Sequence, residues 1–461
     1  MNVGKAILRV LRVFGIIILI PVVLVLLVLL IGFITDLSVT PQWKQAQQES
    51  QDYFSKIKTQ RYSSGVSFAI LDANAWDYYD RAVKKTSAGL SAGNLSIATL
   101  TKEGEPFDIK LAERLTQTSA PALALLDSGA ACTYCAIPYE YEKGMTMPIP
   151  NYIGLQNLAK LGVIRGRLEM TRGKPRAAAE SYARVMKMGA DIGGGGEALI
   201  GRMVGIVIGQ IALKQIAADL AQFDLPSILS LENTISQLES DWPSPNTSLE
   251  CEIQVYFLPG LSGWNGSSQY FTALSQRVPH PGLVGKIQAQ GVLSALSWRS
   301  FFSCRKGLLD GLRPNIAFAH QARTLQGKSW EEGKAWLEQL SAEWKRAAQR
   351  RDPAFFILPN ISRMSKRFYQ YLNAMRVLKA ALALRKNHGV SRKEPEFLPS
   401  LEGFHDRANG QPLHLIPAPS GKGIRLYSVG LNLKDDGGEG SPKPLGWVQD
   451  QDKDDIWIDV P

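Results

Sequence analysis

The chain has 461 residues, of which 45% are hydrophobic, and its formal net charge is +10. A chain of this length and composition can bury a sizeable core by itself, which excludes a disordered tail protein and a small scaffold that depends on disulfides. The charge is uneven, because 13 basic residues and the single acid Asp352 lie between Lys345 and Lys393. This stretch is expected to form a solvated helix face that pairs with the acidic C-terminal tail; anionic lipid and an acidic partner are the alternatives.

The first predicted element is a membrane span at Phe14–Ile34, which contains 21 residues and no charge. At about 1.5 Å per residue it just crosses a hydrocarbon core of about 30 Å. A secretory signal peptide is the competing interpretation, but its apolar region usually has only about 7–15 residues. Because Lys5, Arg9 and Arg12 precede the span, residues 1–35 are predicted to be a cytoplasmic tail and transmembrane anchor. The main domain is then periplasmic, lipid contacts the anchor, and nucleic acid is not expected as a partner.

The next predicted region, residues 36–150, combines a stalk with an irregular part. A polar, Gln-rich helical pattern begins at Pro41, a residue type that is favoured in the first turn of a helix. Beyond residue 60, short apolar runs alternate with Gly, Ser and Pro, which predicts one or two short helices and strands around Val66–Leu71 and Leu95–Leu100.

The four cysteines leave several interpretations open. Cys132 and Cys135 have the CxxC spacing of redox and zinc pairs, but the residues on both sides have a loop-like composition. A structural disulfide or unreactive thiols are therefore favoured over thioredoxin-like chemistry and zinc. Cys251 and Cys304 are far apart in sequence, so the pairing of the four stays open.

Residues 151–360 are predicted to form a body of helix hairpins. Gly166, Ala178 and Tyr182 are spaced as the small residues and the aromatic are in a tetratricopeptide repeat, which one stretch of about 34 residues resembles. The next helix, Glu197–Leu220, carries glycines at four-residue spacing, a pattern found in closely packed membrane helices. Its uncharged core is too short for a span, so a buried core helix is expected.

The last quarter, residues 361–461, is predicted to be a small α+β domain. Asn360 suits the N-cap of a long amphipathic helix, and Gly389 suits its end. Alternating apolar residues at Leu413–Ile416 and Ile424–Val429 then predict paired antiparallel strands. The fold class is thus mainly α, with an anchor, a helix-hairpin body and a small antiparallel sheet.

This order of elements resembles the globular domain of the major pseudopilin of type II secretion systems. The resemblance is carried by Pro412, Tyr427–Gly430, Gly437–Gly438 and Asp454–Ile456. It departs from the family at Asn432-Leu433, where the family has Asp-Gly, and in a loop lengthened by Ser441–Gln451. The N-terminus also lacks the processing motif of the family, so the chain is not expected to polymerise as a pseudopilus subunit.

The resemblance implies a calcium ion in the loop before the chain end. A hard cation takes about six to eight oxygen ligands, which a glycine-rich acidic loop can supply. The resemblance transfers Asn432, Asp454 and Asp455 as metal ligands, and Asp435 and Asp436 are further candidates from this loop itself. The alternative is an acidic, solvated tail without metal.

The sequence contains no HExxH motif, and its Ser and Cys side chains cannot be paired with a catalytic base from sequence alone, so the chain is not expected to be an enzyme. The leading hypothesis is a membrane-anchored scaffold or protein-binding protein outside the cytoplasm. An accessory component of a type II secretion or pilus-like assembly and an envelope hydrolase with an unrecognised site are the alternatives. The whole chain also resembles membrane-anchored bacterial envelope proteins, a resemblance that implies no activity, and the sequence identifies neither a small-molecule substrate nor a specific protein partner.

Overall fold

The computed structural model shows a mainly helical fold with a small antiparallel sheet, as predicted. It describes residues 40–66, 71–89, 94–101, 106–261, 328–349, 361–388, 403–421, 423–447 and 453–461, with isolated positions at 68, at 401 and within 23–39 and 309–325. The helices used below are α1 (Thr40–Lys58), α2 (Ala75–Gly89), α3 (Asn94–Thr101), α4 (Ile109–Thr118), α5 (Ala120–Ala130), α6 (Tyr152–Thr171), α7 (Pro175–Gly194), α8 (Leu199–Asp219), α9 (Leu225–Asp241), α10 (Leu249–Leu261), α11 (Trp330–Gln349) and α12 (Ile361–His388). The strands are β1 (Leu71–Asn74), β2 (Cys132–Tyr134), β3 (His414–Pro417), β4 (Ile424–Ser428) and β5 (Ile456–Val460).

The predicted membrane span lies largely outside the described residues. Its described apolar positions are helical, and each exposes between 51% and 59% of its surface: Val23, Leu26, Leu27, Leu30, Ile31 and Ile34. The backbone N–H of Val39 donates to the Thr35 carbonyl over 3.3 Å, and the N–H of Trp43 donates to the Val39 carbonyl over 2.9 Å. These bonds connect the segment to α1.

Helix α1 packs on the body and is not the free stalk that its polar composition suggested. Its buried side chains recur every three or four residues, at Trp43, Ala46, Ser50, Phe54 and Ile57. Ser50 Oγ donates to Gln254 Oε1 on α10 over 2.5 Å, and the Phe54 ring stacks on Tyr141 with 5.8 Å between centroids. One apolar stripe is therefore enough to dock an otherwise polar helix.

The region predicted to be irregular is mainly helical, with α2 to α5 between the parallel strands β1 and β2. The strand predicted at Leu95–Leu100 is wrong, because this segment forms α3. Ile97 and Leu100 are both almost fully buried, and their three-residue spacing places them on one helix face that packs against α6. The strand predicted at Val66–Leu71 lies partly outside the described residues, and β1 begins at Leu71.

The body contains the helix hairpin that the spacing of small residues predicted. Helices α6 and α7 are joined by a short turn and pack against each other. A Cβ added at Gly166 would stand 2.2 Å from the Tyr182 ring, so the glycine is what lets the ring lie against α6. The aromatic side chain of α7 thus fills the gap that the small residue of α6 leaves.

Helix α8 is long and apolar enough to cross a membrane by length and composition, and of its apolar window 61% is buried inside the fold. It packs against α6, α7 and α12. Its glycines face backbone or aromatic neighbours, and a Cβ at Gly205 would lie 2.4 Å from the Gly189 carbonyl oxygen of α7. This environment is that of a core helix.

Helix α12 has the bounds predicted from Asn360 and Gly389, but its surroundings differ from the prediction. It is buried on most of its circumference, because α9 and α8 cover it on the body side and β5 and β4 cover it on the sheet side. Arg376 Nε lies 2.5 Å from Glu239 Oε1, and Lys386 Nζ lies 2.8 Å from Glu232 Oε2, both acids belonging to α9. Part of the basic stretch is therefore paired with α9 inside the fold.

The C-terminal sheet has the strand order β3–β4–β5 and is antiparallel throughout. Both predicted strands are confirmed, and β5 is a third strand that pairs Ile458 with Leu426. The indole N–H of Trp330 on α11 donates to the Leu431 carbonyl over 2.8 Å. Since one cluster of buried apolar residues runs through the helices and this sheet, the last quarter packs as part of the body.

Candidate metal centre

The loop between β4 and β5 brings three carboxylates together. Asp436 comes from the first half of the loop, while Asp454 and Asp455 directly precede β5. One oxygen from each carboxylate lies within 4.8 Å of the other two. Gly440 forms a β-bridge with Asp455, which closes the loop on itself. Three negative side chains at this separation repel one another unless protons or a cation compensate them.

The backbone after β4 fixes the Asp454 carboxylate. Its Oδ2 accepts hydrogen bonds from the N–H groups of Leu431 at 2.9 Å and Asn432 at 3.1 Å. A Cβ at Gly430 would stand 2.2 Å from Asp454 Oδ1, and this residue has a φ of +68°. Glycine is therefore required for the chain to turn beneath the carboxylate. Burial raises the pKa of Asp454, and the charge of Lys366 on α12 opposes this shift.

Asp455 is the least solvated member of the cluster, with 0% of its surface exposed. Its Oδ2 accepts from the N–H groups of Gly438 at 2.8 Å and Asp436 at 3.1 Å. Its other oxygen, Oδ1, is buried and has no hydrogen-bond partner among the described residues. Burial raises the pKa of Asp455 to about 7, and the neighbouring Asp436 charge adds to this rise. A bound cation would satisfy the oxygen that now lacks a partner, whose burial costs about 1–3 kcal/mol.

Asp436 completes the cluster while its backbone and side chain hold the loop together. Its Oδ2 accepts from Asn432 Nδ2 at 2.8 Å and from the Asp454 N–H at 3.1 Å. Its own N–H donates to Asp455. The three carboxylates are thus linked through backbone donors, and they supply hard oxygen ligands of the kind that calcium prefers. Asp436, Asp454 and Asp455 are the residues that would hold the ion.

The other two predicted ligands lie near the cluster but do not direct an oxygen into it. The Asn432 side-chain oxygen accepts from the Lys434 N–H at 2.7 Å, so its nitrogen faces Asp436, and an amide nitrogen is not a calcium ligand. Asp435 accepts from the Tyr427 hydroxyl at 3.0 Å and from the Gly437 N–H at 2.9 Å. The Gly437 donor lowers the pKa of Asp435. Asn432 was placed among the ligands by the pseudopilin resemblance, and Asp435 by its position in the acidic loop.

We expect calcium binding to weaken in acid because a proton on Asp455 competes with the ion. With a pKa of about 7, this group is protonated in the calcium-free fold below neutral pH. The apparent calcium affinity should therefore fall about tenfold per pH unit below about pH 7 and level off above it. Without calcium, the stability of the fold depends on pH in the opposite direction. The Asp455 carboxyl ionises above about pH 3.9 in the unfolded chain, but in the folded chain it stays protonated up to about pH 7. The stability contribution of this group then falls between about pH 4 and pH 7.

Isothermal titration with calcium from about pH 5.5 to pH 8.5 measures the affinity profile. Asp435→Asn serves as the matched control and should keep the fall in affinity with only a small displacement of its midpoint, because Asp435 is bound to Tyr427 and Gly437 and acts on Asp455 only through its charge. A calcium affinity that stays constant across this range would contradict the assignment of Asp455 as a ligand.

The CxxC segment gives little support to thiol chemistry. Cys132, Cys135 and Cys251 are free thiols and all three are buried, while Cys304 lies outside the described residues. Burial raises the pKa of Cys132 to about 11 and raises that of Cys135 as well. A thiol with a raised pKa is a poor nucleophile and a poor zinc ligand near neutral pH.

The buried residues also include a polar contact that no sequence motif indicated. Lys187 Nζ lies 2.7 Å from Asp191 Oδ2 on α7, and Tyr79 Oη on α2 donates to the same oxygen over 2.8 Å. A lysine and an aspartate four residues apart in an apolar helix are the only sequence signal for it.

Comparison with known proteins identified no relative of the chain. No protein-family model, no curated protein and no solved structure matches it.

Proposed function

We propose that the chain is a scaffold or protein-binding protein anchored in the inner membrane, with its helical body and C-terminal sheet in the periplasm. The observation that carries this proposal is the run of half-exposed Val, Leu and Ile side chains at the described positions between residues 23 and 34. Contact of such surface with water costs about 25 cal/mol per Å², whereas lipid accepts it. Since this helical segment leads into α1, and α1 docks on α10, the anchor would hold the body close to the membrane surface.

Calcium is proposed as a structural ion of this scaffold. Asp455 directly precedes β5, whose N-terminal residue Ile456 pairs with Ser428 at the end of β4. An ion shared by Asp436, Asp454 and Asp455 would join the start of the last strand to the loop that leaves β4. This supports a role in holding β5 against β4 within the sheet.

We expect the full chain, expressed in a diderm bacterium, to stay in the membrane pellet after alkaline carbonate washing. We also expect external protease to digest its body in spheroplasts whose inner membrane is intact. The double substitution Leu26→Arg, Leu27→Arg should release the protein, because an arginine at the centre of a span costs about 2.5–3.5 kcal/mol. Lys44→Arg is the matched control outside the apolar segment. A C-terminus that stays protected in spheroplasts, or a parent chain that washes off, would contradict the proposal.

A role as an accessory component of a secretion assembly is the second candidate. It is favoured by the order of α12, β3, β4, the acidic loop and β5, which is the order in the globular domain of the major pseudopilin that the sequence resembles. Co-purification with the pseudopilins of the same cell would support this role. Their absence from the purified complex would contradict it and would leave the scaffold role as the remaining proposal.

A further inference from the structure

A groove of about 720 Å³ lies where α6 and α8 meet the segment that precedes β5. This volume is within the range of about 300–1,000 Å³ that small-molecule sites occupy. Its apolar surface comes from Val163, Ile211 and Pro444, among others. It is separate from the carboxylate cluster.

Four cationic side chains line the groove, and they come from three elements. Lys160 and Arg167 lie two turns apart on α6, Lys214 lies on α8, and Lys443 lies in the segment before β5. Among the described residues that line the groove, none carries a carboxylate. Cations gathered in one cavity raise its positive potential and favour an anionic ligand.

Arg167 is held by two neighbouring groups. Its Nη1 donates to the Leu100 carbonyl over 2.5 Å, and its guanidinium lies 4.2 Å from the centroid of the Phe107 ring. Burial lowers the pKa of Arg167, which means that its charge is incompletely solvated. The charge of Asp219 partly opposes this shift, although the Asp219 Oδ2 accepts its hydrogen bonds from Tyr182 at 2.6 Å and Gln215 at 3.1 Å. The guanidinium of Arg167 is thus held in place by the Leu100 carbonyl and the Phe107 ring, and neither of these groups carries a charge.

The segment that carries Lys443 is also held in place. The Ser441 N–H donates to the Asp455 carbonyl over 3.1 Å, and the Leu445 N–H donates to the Trp457 carbonyl over 2.8 Å. Gln210 Nε2 on α8 donates to the Leu445 carbonyl over 2.5 Å. The wall of the groove that carries Lys443 is therefore fastened to both β5 and α8.

We infer that this groove binds a small organic phosphate, with the phosphate oxygens on Arg167 and the lysines and the organic part against Val163, Ile211 and Pro444. A phosphate ester carries about −1.5 to −2 charges and three acceptor oxygens, which suits several cations better than one carboxylate does. A soluble sugar phosphate and a phospholipid headgroup share this chemistry. Lys443 and Pro444 belong to the same β4–β5 loop as the proposed calcium ligands, but none of the three carboxylates lines the groove.

The test is isothermal titration of the full chain in maltoside micelles with glucose 6-phosphate and with dihexanoyl phosphatidic acid, without added calcium. Glucose and succinate are the neutral and carboxylate comparisons. We expect saturable binding of at least one phosphate with a Kd below about 1 mM. Binding of the sugar phosphate points to a soluble ligand, and binding of the lipid alone points to a headgroup; either result supports the site.

Two substitutions keep the test independent of folding. Arg167→Gln should weaken binding about tenfold or more, because it removes a charged hydrogen-bond donor. Lys160→Gln should weaken it several-fold with little effect on the fold, and Lys110→Gln on the exposed face of α4 is the control. The inference is overturned if neither phosphate binds at about 10 mM, if succinate binds as tightly as the phosphates, or if Lys160→Gln binds like Lys110→Gln.

Discussion

Lys187→Met is expected to lower the free energy of unfolding by about 3–5 kcal/mol, because it leaves Asp191 buried without its cation. Only 2% of the Lys187 side chain and 0% of the Asp191 side chain are exposed. The second oxygen of Asp191, Oδ1, has no hydrogen-bond partner among the described residues. Tyr79 would remain as the main donor to the carboxylate, and a neutral hydroxyl does not compensate a buried charge. Chemical denaturation of the full chain in micelles measures the change.

Lys84→Met is the matched control for this substitution. Lys84 and Asp80 form an ion pair with the same four-residue spacing, but the Lys84 side chain is 72% exposed. The control should therefore change stability by less than about 0.5 kcal/mol. The double variant Lys187→Met, Asp191→Asn should recover part of the loss, since it removes the orphaned charge and keeps an acceptor for Tyr79. Equal effects of Lys187→Met and Lys84→Met would mean that the buried pair is not present in solution.

The second large effect is expected from Gly205→Ala at the closest approach of α7 and α8. The new Cβ would lie 2.4 Å from the Gly189 carbonyl oxygen and 2.7 Å from Gly193 Cα. These are backbone atoms, so the two helices must move apart to admit one methyl group. Alanine favours a helix over glycine by about 1 kcal/mol, but overpacking of this kind costs about 1–3 kcal/mol and occasionally more. We expect the steric cost to exceed the gain in helix propensity, so that the variant is less stable and unfolds at a lower denaturant midpoint.

Gly193→Ala tests the same interface without the clash. The nearest atom to its new Cβ is Pro243 Cγ at 3.7 Å, an ordinary van der Waals distance. This variant should be as stable as the parent chain or slightly more stable, because the gain in helix propensity meets no steric cost. If Gly205→Ala were as stable as Gly193→Ala, the close packing of α7 on α8 described above would be incorrect.

Local sequence patterns predicted the elements better than their surroundings. The bounds of α12 followed from a capping residue and a terminal glycine, and β3 and β4 followed from two-residue alternation. The burial of α12 on most sides could not be predicted in this way, because it depends on contacts with α9 and β5 that are distant in sequence. The same limit explains why α1 was expected to be a stalk. The segment Leu95–Leu100 was misread because the apolar residues in so short a segment fit either period.

The candidate metal site was predictable in composition but not in the direction of its side chains. Asp436, Asp454 and Asp455 converge because the chain turns through positive φ angles at Gly430, Gly437 and Gly438. Those turns also direct Asp435 towards Tyr427. Lys160 and Arg167 were missed because a seven-residue spacing of basic residues on a helix is common on solvated faces. Their significance appears only when α8 and the segment before β5 complete the groove.

The proposal that calcium fastens the C-terminal sheet is tested most directly by thermal unfolding of the full chain in micelles at about pH 8, with calcium or with chelator. Calcium at about 100 times its Kd should stabilise the parent chain by about 2.7 kcal/mol and raise its Tm. Asp435→Asn should respond like the parent chain, because its carboxylate lies outside the cluster. Asp455→Asn should show no rise, since it replaces the buried ligand. A Tm that calcium leaves unchanged in the parent chain, or raises equally in Asp455→Asn, would contradict the site.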